Sequence, residues 1–241
     1  LWWQHVEARP AMRKALAPLP RYLVTTTVSK HRLFAWMTSP CLPDHQLIVF
    51  ARADDLFFGV LHSRLHEVWG LRMGTRLETR PRYTPSTCFD TFPFPPGVLD
   101  ATGDLPDELA AITDAAKELN ELREGWLNPA DWTREEVLTF PGTVGGPWHR
   151  YIDPDTVTDR GAFKVGTVRY LRLVPSDDAS AARLKKRTLT NLYNERPGWL
   201  AACHEKLDAA VAAAYGWPAA LSDEEILERL LQLNSRQCET K

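Results

Sequence analysis

The apolar positions between residues 61 and 95 change their spacing, and the change predicts two structures in succession. In the first part, apolar side chains recur at intervals of three and four residues, which places them on one stripe of a helix. The stripe consists of Leu61, Leu65, Val68 and Trp69. We expect Gly74 to end this short amphipathic helix in a left-handed cap.

The residues after Gly74 favour an extended segment. Arg76, Arg80 and Arg82 are two or four positions apart, so in one extended strand all three side chains would project from the same face. The following stretch combines prolines, which disfavour helix, with phenylalanines that we expect to anchor the segment to a core. These residues are Pro85, Pro93, Pro95 and Pro96, with Phe89, Phe92 and Phe94. The pattern predicts a basic segment that is held at its far end.

Upstream of this segment, the pattern predicts a helix and a small sheet. Residues 8–19 can form a short helix. Runs of β-branched and apolar residues predict three strands at residues 21–28, 33–37 and 47–53, and a further strand at residues 56–60. The first part of the chain is therefore expected to be α+β.

From Asp104 onward the pattern becomes helical. One long helix is predicted from its apolar stripe, and we expect Gly125 to end it. The stripe consists of Leu105, Leu109, Ile112, Ala116, Leu119 and Leu122. Pro197 is placed to begin another long helix, and Ser222 with Glu225 forms a capping box for the last one.

These patterns divide the chain into three parts. An α+β domain with a small mixed sheet is expected at residues 1–97, and a helical support domain at residues 98–128 and 183–241. Residues 129–182 are rich in Gly and Pro and are predicted to be an insertion, in which residues 163–174 form a long strand or a hairpin. The predicted fold class is α+β, with a helical bundle and a β-containing insertion following the first domain.

Composition and charge narrow the class of protein. The chain is 44% hydrophobic and 25% charged, as globular proteins are, and no apolar run approaches the ~18 residues that span a membrane. Four scattered cysteines without a C-x-x-C pair argue against a zinc site and a disulfide scaffold, and favour the cytoplasm. Residues 1–96 carry 12 Lys and Arg against 7 Asp and Glu, and residues 97–241 carry 17 against 24. A basic part joined to an acidic part suggests a polyanionic partner. Because Leu1 is not methionine, we expect a piece of a longer chain.

The chain lacks the sequence motifs of enzymes that act on nucleic acids or bind nucleotides. It has neither the glycine-rich cofactor loop nor the N/D-P-P-Y/F loop of an amino-methylating methyltransferase, and no phosphate-cradling loop. His62 and His66 are four residues apart and could ligate a metal, but no third ligand has recognisable spacing nearby. A histidine pair beside an apolar stripe, or one that touches phosphate, is the favoured interpretation. We therefore expect no catalytic, cofactor-binding or metal-binding residue in this chain.

Nucleic-acid binding remains the best use of the basic residues. Arginine contacts guanine edges and phosphates through two donors, and a tyrosine adds a stacking face. The candidate DNA-binding residues are Lys30, His31, Arg32, Arg64, Arg72, Arg76, Arg80, Arg82 and Tyr83. A solvated turn would explain residues 30–32, and a charged edge strand would explain residues 76–82. Residues 183–187 contain a second basic cluster, for which a solvated helix face and DNA are equally good explanations.

Three segments resemble a known family. They are FGVLHSRLHEVWGLRMGTRLETRPRYTPSTCFDTFPFP at residues 58–95, LTNLYNERPGWLAACHEKLDAAVAAAYGWP at residues 189–218 and VSKHRLFAW at residues 28–36. The first and third resemble the target-recognition region, and the second the C-terminal helical segment, of the single-chain type IIG/IIL, MmeI-like DNA methyltransferases. Residues 129–182 show no pattern of that family.

The resemblance implies the specificity part of a restriction-modification or phage-defence enzyme. Its partners would be duplex DNA and an upstream methyltransferase module, which would use S-adenosylmethionine to methylate adenine N6. On that view, Lys30 and Arg32 are expected to hold phosphates, while Arg76, Arg80 and Arg82 read bases. The alternative is a non-enzymatic module whose basic face binds RNA or an acidic protein.

Overall fold

A computed structural model describes residues 9–39, 41–78 and 80–239, and it has the predicted α+β class. Residues 1–8 of the first predicted domain lie outside these ranges. The helices are α1 Pro10–Leu16, α2 Asp55–His62, α3 Arg64–Met73, α4 Asp107–Leu127, α5 Asp178–Leu184, α6 Leu189–Glu195, α7 Gly198–Ala214 and α8 Asp223–Glu239. The strands are β1 Arg21–Thr26, β2 Phe34–Thr38, β3 Leu47–Phe50, β4 Thr75–Leu77, β5 Arg80–Arg82, β6 Thr133–Thr143, β7 Thr158–Asp159 and β8 Lys164–Pro175.

The predicted three-stranded sheet near the start of the chain is confirmed. Its order is β2-β1-β3, and both pairings are antiparallel. Leu23 at the centre pairs with Trp36 on one side and Phe50 on the other. Leu23 and Phe50 are buried against α2 and α3, so one face of this sheet forms part of the main core.

The fourth predicted strand is wrong, because residues 56–60 form helix α2 instead. Asp54 caps this helix by accepting a 2.8 Å hydrogen bond from the backbone N–H of Phe57. The helix is buried on all sides, so it shows a continuous apolar run that periodicity cannot distinguish from a buried strand. Gly59 permits α4 to approach, since a Cβ there would lie 2.7 Å from Ile112 Cγ2.

The predicted amphipathic helix is divided in two at Ser63, whose extended backbone ends α2 and begins α3. Its four stripe residues are buried, as expected. The prediction of a left-handed cap at Gly74 is wrong, since its φ is −77°. Glycine is required there for a different reason, because a Cβ would lie 2.6 Å from the carbonyl oxygens of both Arg82 and Gly70.

The predicted aromatic anchor is confirmed. Phe92 is buried, and Phe94 stacks on Phe57 with 5.7 Å between ring centroids. Pro85 nevertheless begins a single π-helical turn, Pro85–Phe89, in a stretch predicted to be without helix. Proline is compatible with the first position of a helical turn, where its missing N–H has no partner to lose.

The helices of the second half share one core with the sheet. Helix α4 packs against α2 and α7, and it continues through Gly125 to Leu127, so the predicted end was wrong. Leu122 was expected in the buried stripe but is 43% exposed. The capping box is confirmed, with hydrogen bonds of 2.8 and 3.2 Å between Ser222 and Glu225. The division of the chain into domains stays a prediction, since the cluster of buried residues includes both proposed parts.

The insertion forms a long hairpin. Strands β6 and β8 pair over eleven residues, and the short strand β7 lies on the other side of β8. One face of the hairpin carries an aromatic cluster, whereas Val137 and Leu171 on the other face are exposed. The cluster consists of Phe140, Trp148, Tyr151 and Tyr170. Tyr151 donates a 2.7 Å hydrogen bond to the carbonyl oxygen of Ser39, which holds the insertion to the first sheet.

In the ranges that the structure describes, no helix is both long and apolar enough to cross a membrane.

Candidate functional site

The predicted arginine segment is a hairpin, which we call the recognition hairpin (β4, β5 and their connection, residues 75–82). Its strands are antiparallel, with Arg76 opposite Pro81 and Leu77 opposite Arg80. Residues directly opposite each other share a face, so Arg80 and Arg82 lie on one face and Arg76 on the other. The prediction that all three arginines share a face is therefore wrong. The chain reverses after Leu77, where Glu78 has a left-handed backbone at φ 58°. Residues at an even spacing on the two sides of this reversal therefore no longer lie on the same face.

The recognition hairpin is fixed to the end of strand β1. The backbone N–H of Tyr83 donates to Thr27 O at 2.8 Å, and that of Ser29 donates to Pro81 O at 3.3 Å. An isolated bridge pairs Val28 with Arg82. These bonds connect the base of the hairpin to the main sheet, and β4 and β5 extend beyond them as a two-stranded ribbon.

Two of the three arginines of the recognition hairpin have no internal partner. Arg76 and Arg82, like Arg72 in the preceding helix α3, are exposed and make no ion pair or side-chain hydrogen bond with any residue that the structure describes. Arg80 lies 3.4 Å from Glu78, and both side chains are exposed. An exposed pair of this kind contributes little to stability, so Arg80 can exchange Glu78 for another anion at small cost.

Tyr83 is not available to stack on a base, contrary to the prediction. It is 2% exposed, and its hydroxyl lies 3.0 Å from His66 Nε2. His66 Nδ1 lies 2.8 Å from the carbonyl oxygen of Leu61, which can only accept, so Nδ1 carries the proton and Nε2 accepts from Tyr83. Burial lowers the pKa of His66 to about 3 and raises the pKa of Tyr83. The pair is a neutral internal hydrogen bond beneath the hairpin.

Arg32 was predicted to hold a phosphate, but its side chain points inward instead of to the surface. Its side chain is buried, at 9% relative exposure for the residue, and it donates to the carbonyl oxygens of Thr26 and Pro81 and to the hydroxyl of Thr25. Its guanidinium also lies over the ring of Tyr83, 5.0 Å from the centroid. Arg32 therefore holds the base of the recognition hairpin to strand β1.

Lys30 and His31 remain at the surface. Lys30 donates to Asn194 Oδ1 at 2.5 Å, and His31 Nε2 lies 3.0 Å from the same oxygen. Lys30 is exposed and its amine has further donors, so it can still contact a phosphate. The contact to Asn194 brings this turn to the end of helix α6.

Arg64, a candidate DNA-binding residue, makes contacts that connect three helices. Its guanidinium donates to Asp223 at 2.5 Å and to Leu221 O at 2.8 Å, and its backbone N–H donates to Asp208 at 2.7 Å. Burial raises the pKa of Asp208 to about 6, against the lowering effect of that backbone hydrogen bond. These contacts join α3 to α7 and to the start of α8.

His62 belongs to a buried polar network that the sequence did not reveal. Its Nδ1 accepts from the backbone of Phe34 at 3.2 Å, and its Nε2 lies 2.8 Å from the hydroxyl of Tyr193, which is 2.9 Å from His204. Burial, together with the nearby charge of Arg123, lowers the pKa of His62 well below its usual value. Both ring nitrogens are occupied, and the described residues contain no group of three or more potential metal ligands.

Arg123 is a buried charged residue of this network that the sequence analysis did not identify. It is 1% exposed, donates to Phe34 O at 3.0 Å and lies 3.1 Å from His62, and its Nε has no hydrogen-bond partner. It follows Leu119 by four residues, so it continues the buried stripe of α4. That spacing was the available signal, but an arginine at its end reads as solvent-exposed by default.

Residues 12–96 match a family model described as "MmeI, target recognition domain". This segment is an MmeI-like target recognition domain. The family expected from the resemblance is thereby confirmed for these residues. The match includes the recognition hairpin, Lys30 and Arg32, and it ends before helix α4.

The fold extends beyond the family match. A structure titled "Structure of Type IIL restriction-modification enzyme MmeI in complex with DNA has implications for engineering of new specificities" is similar to 92% of this chain, with a TM-score of 0.58 and 18% sequence identity. The similar region is 22% of the MmeI chain, so this chain spans about a fifth of that protein's length. At this identity the likeness concerns the fold. A comparison with curated proteins gave no match.

Proposed function

We propose that this chain recognises a specific sequence in duplex DNA through the recognition hairpin. The observation that carries the proposal is the set of exposed arginines on that hairpin, within a segment that matches a target recognition domain. A two-stranded ribbon fits the major groove, where an arginine can donate two hydrogen bonds to O6 and N7 of guanine. The hairpin combines the shape and the donors that such reading requires.

The two faces of the hairpin are suited to different contacts with DNA. Arg80 and Arg82 share the outward face with Leu77, which is 50% exposed. Arg76 shares the other face with Pro81, which is half-buried and whose carbonyl oxygen accepts bonds from Arg32 and Ser29. We therefore assign base reading to Arg80 and Arg82, and a phosphate contact to Arg76 and Lys30.

The proposal extends to the enzyme that would contain this chain. A sequence-reading part of a restriction-modification enzyme would position DNA so that a methyltransferase module, outside this chain, can take the target adenine out of the helix and methylate N6. S-adenosylmethionine would supply the methyl group and would bind in that module. Such an enzyme would work in the cytoplasm, and the present chain alone would transfer no methyl group.

A salt titration tests the DNA-binding step. Each phosphate contact adds about 0.9 to the slope of log affinity against log salt concentration. Binding of duplex DNA by the chain should therefore weaken steeply between about 50 and 200 mM salt. The double variant R80A/R82A should bind specific duplexes more weakly. R169A/R134A is a matched control, because both of its arginines are exposed on the insertion hairpin.

Two results would contradict the proposal. One is equal loss of affinity in R80A/R82A and in the control. The other is preferential binding of RNA, or of an acidic protein, over duplex DNA under the same conditions, which would favour the non-enzymatic alternative.

A further inference from the structure

The described residues contain a second basic surface, outside the segment that matches the target recognition domain. It lies at the C-terminal end of α5 and in the turn before α6, and we call it the α5 cluster. It consists of Arg183, Lys185, Lys186 and Arg187. We propose that the α5 cluster binds the phosphate backbone of the same duplex that the recognition hairpin reads, an inference that rests on the proposed function.

Two tryptophans hold the arginines of the α5 cluster in place. The guanidinium carbon of Arg187 lies 4.2 Å from the ring centroid of Trp126 and 4.9 Å from that of Trp132. That of Arg183 lies 5.4 Å from the ring of Trp132. A cation–π contact of this kind uses no N–H donor in a hydrogen bond to an oxygen, so the donors of both arginines are left for an anion. The arginines are therefore oriented before any anion arrives, which lowers the entropic cost of binding.

The charge of the α5 cluster is not neutralised within the protein. None of its four side chains forms an ion pair or donates a side-chain hydrogen bond among the residues that the structure describes. Three of them, with both tryptophans, line an open groove of about 620 Å³ whose one acidic residue is Glu195. Asp177 is near enough to Arg183 to feel its charge. The cluster as a whole keeps an excess of positive charge.

Helix α6 connects the α5 cluster to the basic turn beside the recognition hairpin. Thr188, which follows Arg187, caps the helix, and Asn194 near its other end contacts Lys30 and His31. The helix has seven residues, so it is about 10 Å long at 1.5 Å per residue. This length corresponds to about three base pairs along a duplex at 3.4 Å per pair. One duplex can therefore contact Lys30 and the α5 cluster together.

Phosphate contacts from the α5 cluster would set the position of the duplex without reading its sequence. They would add affinity equally on all sequences. If Arg183 and Arg187 have a purely structural role on the tryptophan rings, loss of the neighbouring lysines should not change DNA binding. Lys185 and Lys186 are exposed and make no ion pair or side-chain hydrogen bond in the described part of the chain. Replacing the two lysines therefore tests phosphate binding while both arginines keep their places.

The test is a salt titration of the full chain carrying K185Q/K186Q. Its matched control is K117Q/K164Q, which removes two exposed lysines from α4 and β8. Two lost phosphate contacts reduce the salt slope by about 1.8, so between 50 and 200 mM salt the wild type should lose about 12-fold more affinity than K185Q/K186Q. The difference should be the same on specific and scrambled duplexes. The control should keep the wild-type slope.

Four outcomes would overturn the inference. An unchanged slope in K185Q/K186Q, or an equal change in the control, would remove the α5 cluster from the interface while R80A/R82A still loses specific binding. A loss confined to one sequence would make the cluster a base reader instead. Failure of the wild-type chain to bind duplex DNA at all would refute the proposed function and this inference together.

Discussion

The turn at Ser29–Arg32 and the recognition hairpin are neighbours at the end of strand β1, and both are basic, yet their arginines have opposite roles. Arg32 is buried, donates to two backbone carbonyl oxygens and a hydroxyl, and has its guanidinium over the ring of Tyr83. Arg76 and Arg82 are exposed and have no side-chain partner among the described residues.

The difference shows what decides the role of an arginine here. The side chain of Arg32 turns inward, where the carbonyl oxygens of Thr26 and Pro81 and the hydroxyl of Thr25 accept from it. The side chains of Arg76 and Arg82 extend from the hairpin strands into solvent, so they are left for a ligand. Burial against internal acceptors, rather than local charge, separates support from recognition.

The largest expected effect is on stability at the supporting arginine. R32A should lower the free energy of unfolding by about 2 to 4 kcal/mol, because it removes a buried side chain that donates to the Thr25 hydroxyl and to the carbonyl oxygens of Thr26 and Pro81. R82A, the matched exposed variant, should change it by less than about 0.5 kcal/mol. Urea unfolding of both variants measures the difference. Equal losses would mean that the two arginines do not differ as described.

The buried histidines should make the stability of the folded chain sensitive to acid. The pKa values of His66 and His204 are lowered to about 3 and 4, mainly by burial, and that of His62 is lowered well below its usual value. The unfolded chain takes up these protons below about pH 6.5 while the folded chain does not, so stability present above pH 6.5 is lost as the pH falls. At pH 5 the loss that comes from His66 is about 2 kcal/mol.

One carboxyl opposes this trend. Because the pKa of Asp208 is raised to about 6, its contribution favours the folded state at low pH and is lost as the pH rises through about 6. The three histidines should outweigh it. Urea unfolding at pH 7.5 and pH 5 measures the net change. H66Q should flatten the profile, whereas R76A/R80A/R82A should leave its shape as in the wild type. A profile that H66Q does not alter would contradict the assignment.

Next in size is the effect of the hairpin on sequence choice. In the enzyme that contains this chain, R80A or R82A should relax the methylated motif at one position, since a bidentate arginine on guanine discriminates by about 1 to 3 kcal/mol. R76A should reduce methylation at every site without changing the motif. Sequencing of methylated sites in each variant measures both. A motif altered by R76A alone would place the reading on the opposite face.

The smallest expected effect belongs to Lys30. K30A should remove one phosphate contact, which flattens the salt slope by about 0.9 and weakens binding equally on all sequences. K14A, which removes an exposed lysine from α1, should leave the slope unchanged. If K30A behaves like K14A, the contact of Lys30 with Asn194 is its whole role.

Local patterns predicted most of the elements. The stripes of α3 and α8, the capping box at Ser222 and the strands of the first sheet depend on neighbouring residues, so they could be read from the chain. Helix α2 could not, because burial on all sides erases the periodicity that identifies a helix. The recognition hairpin was predicted as a single extended strand, because no local pattern marks the reversal after Leu77 that changes which side chains share a face.

The candidate site was predictable in composition but not in detail. Lys30 and Arg32 are two residues apart and equally basic, and only the fold shows that one is exposed and the other buried. Tyr83 follows Arg82 directly, but its ring faces His66 instead of solvent. These assignments depend on contacts between segments that are distant in sequence, which no local pattern contains.

The attachment of the recognition hairpin has a consequence for its replacement. The residues from Thr75 to Arg82 are joined to the body through main-chain bonds and the Arg32 contact to Pro81 O, while the outward side chains take no part. The outward side chains of the hairpin can thus be replaced as a set. We expect substitutions at positions 75, 77, 80 and 82, with Gly74, Pro81 and Tyr83 kept, to leave the rest of the fold intact while they change the side chains that face the DNA.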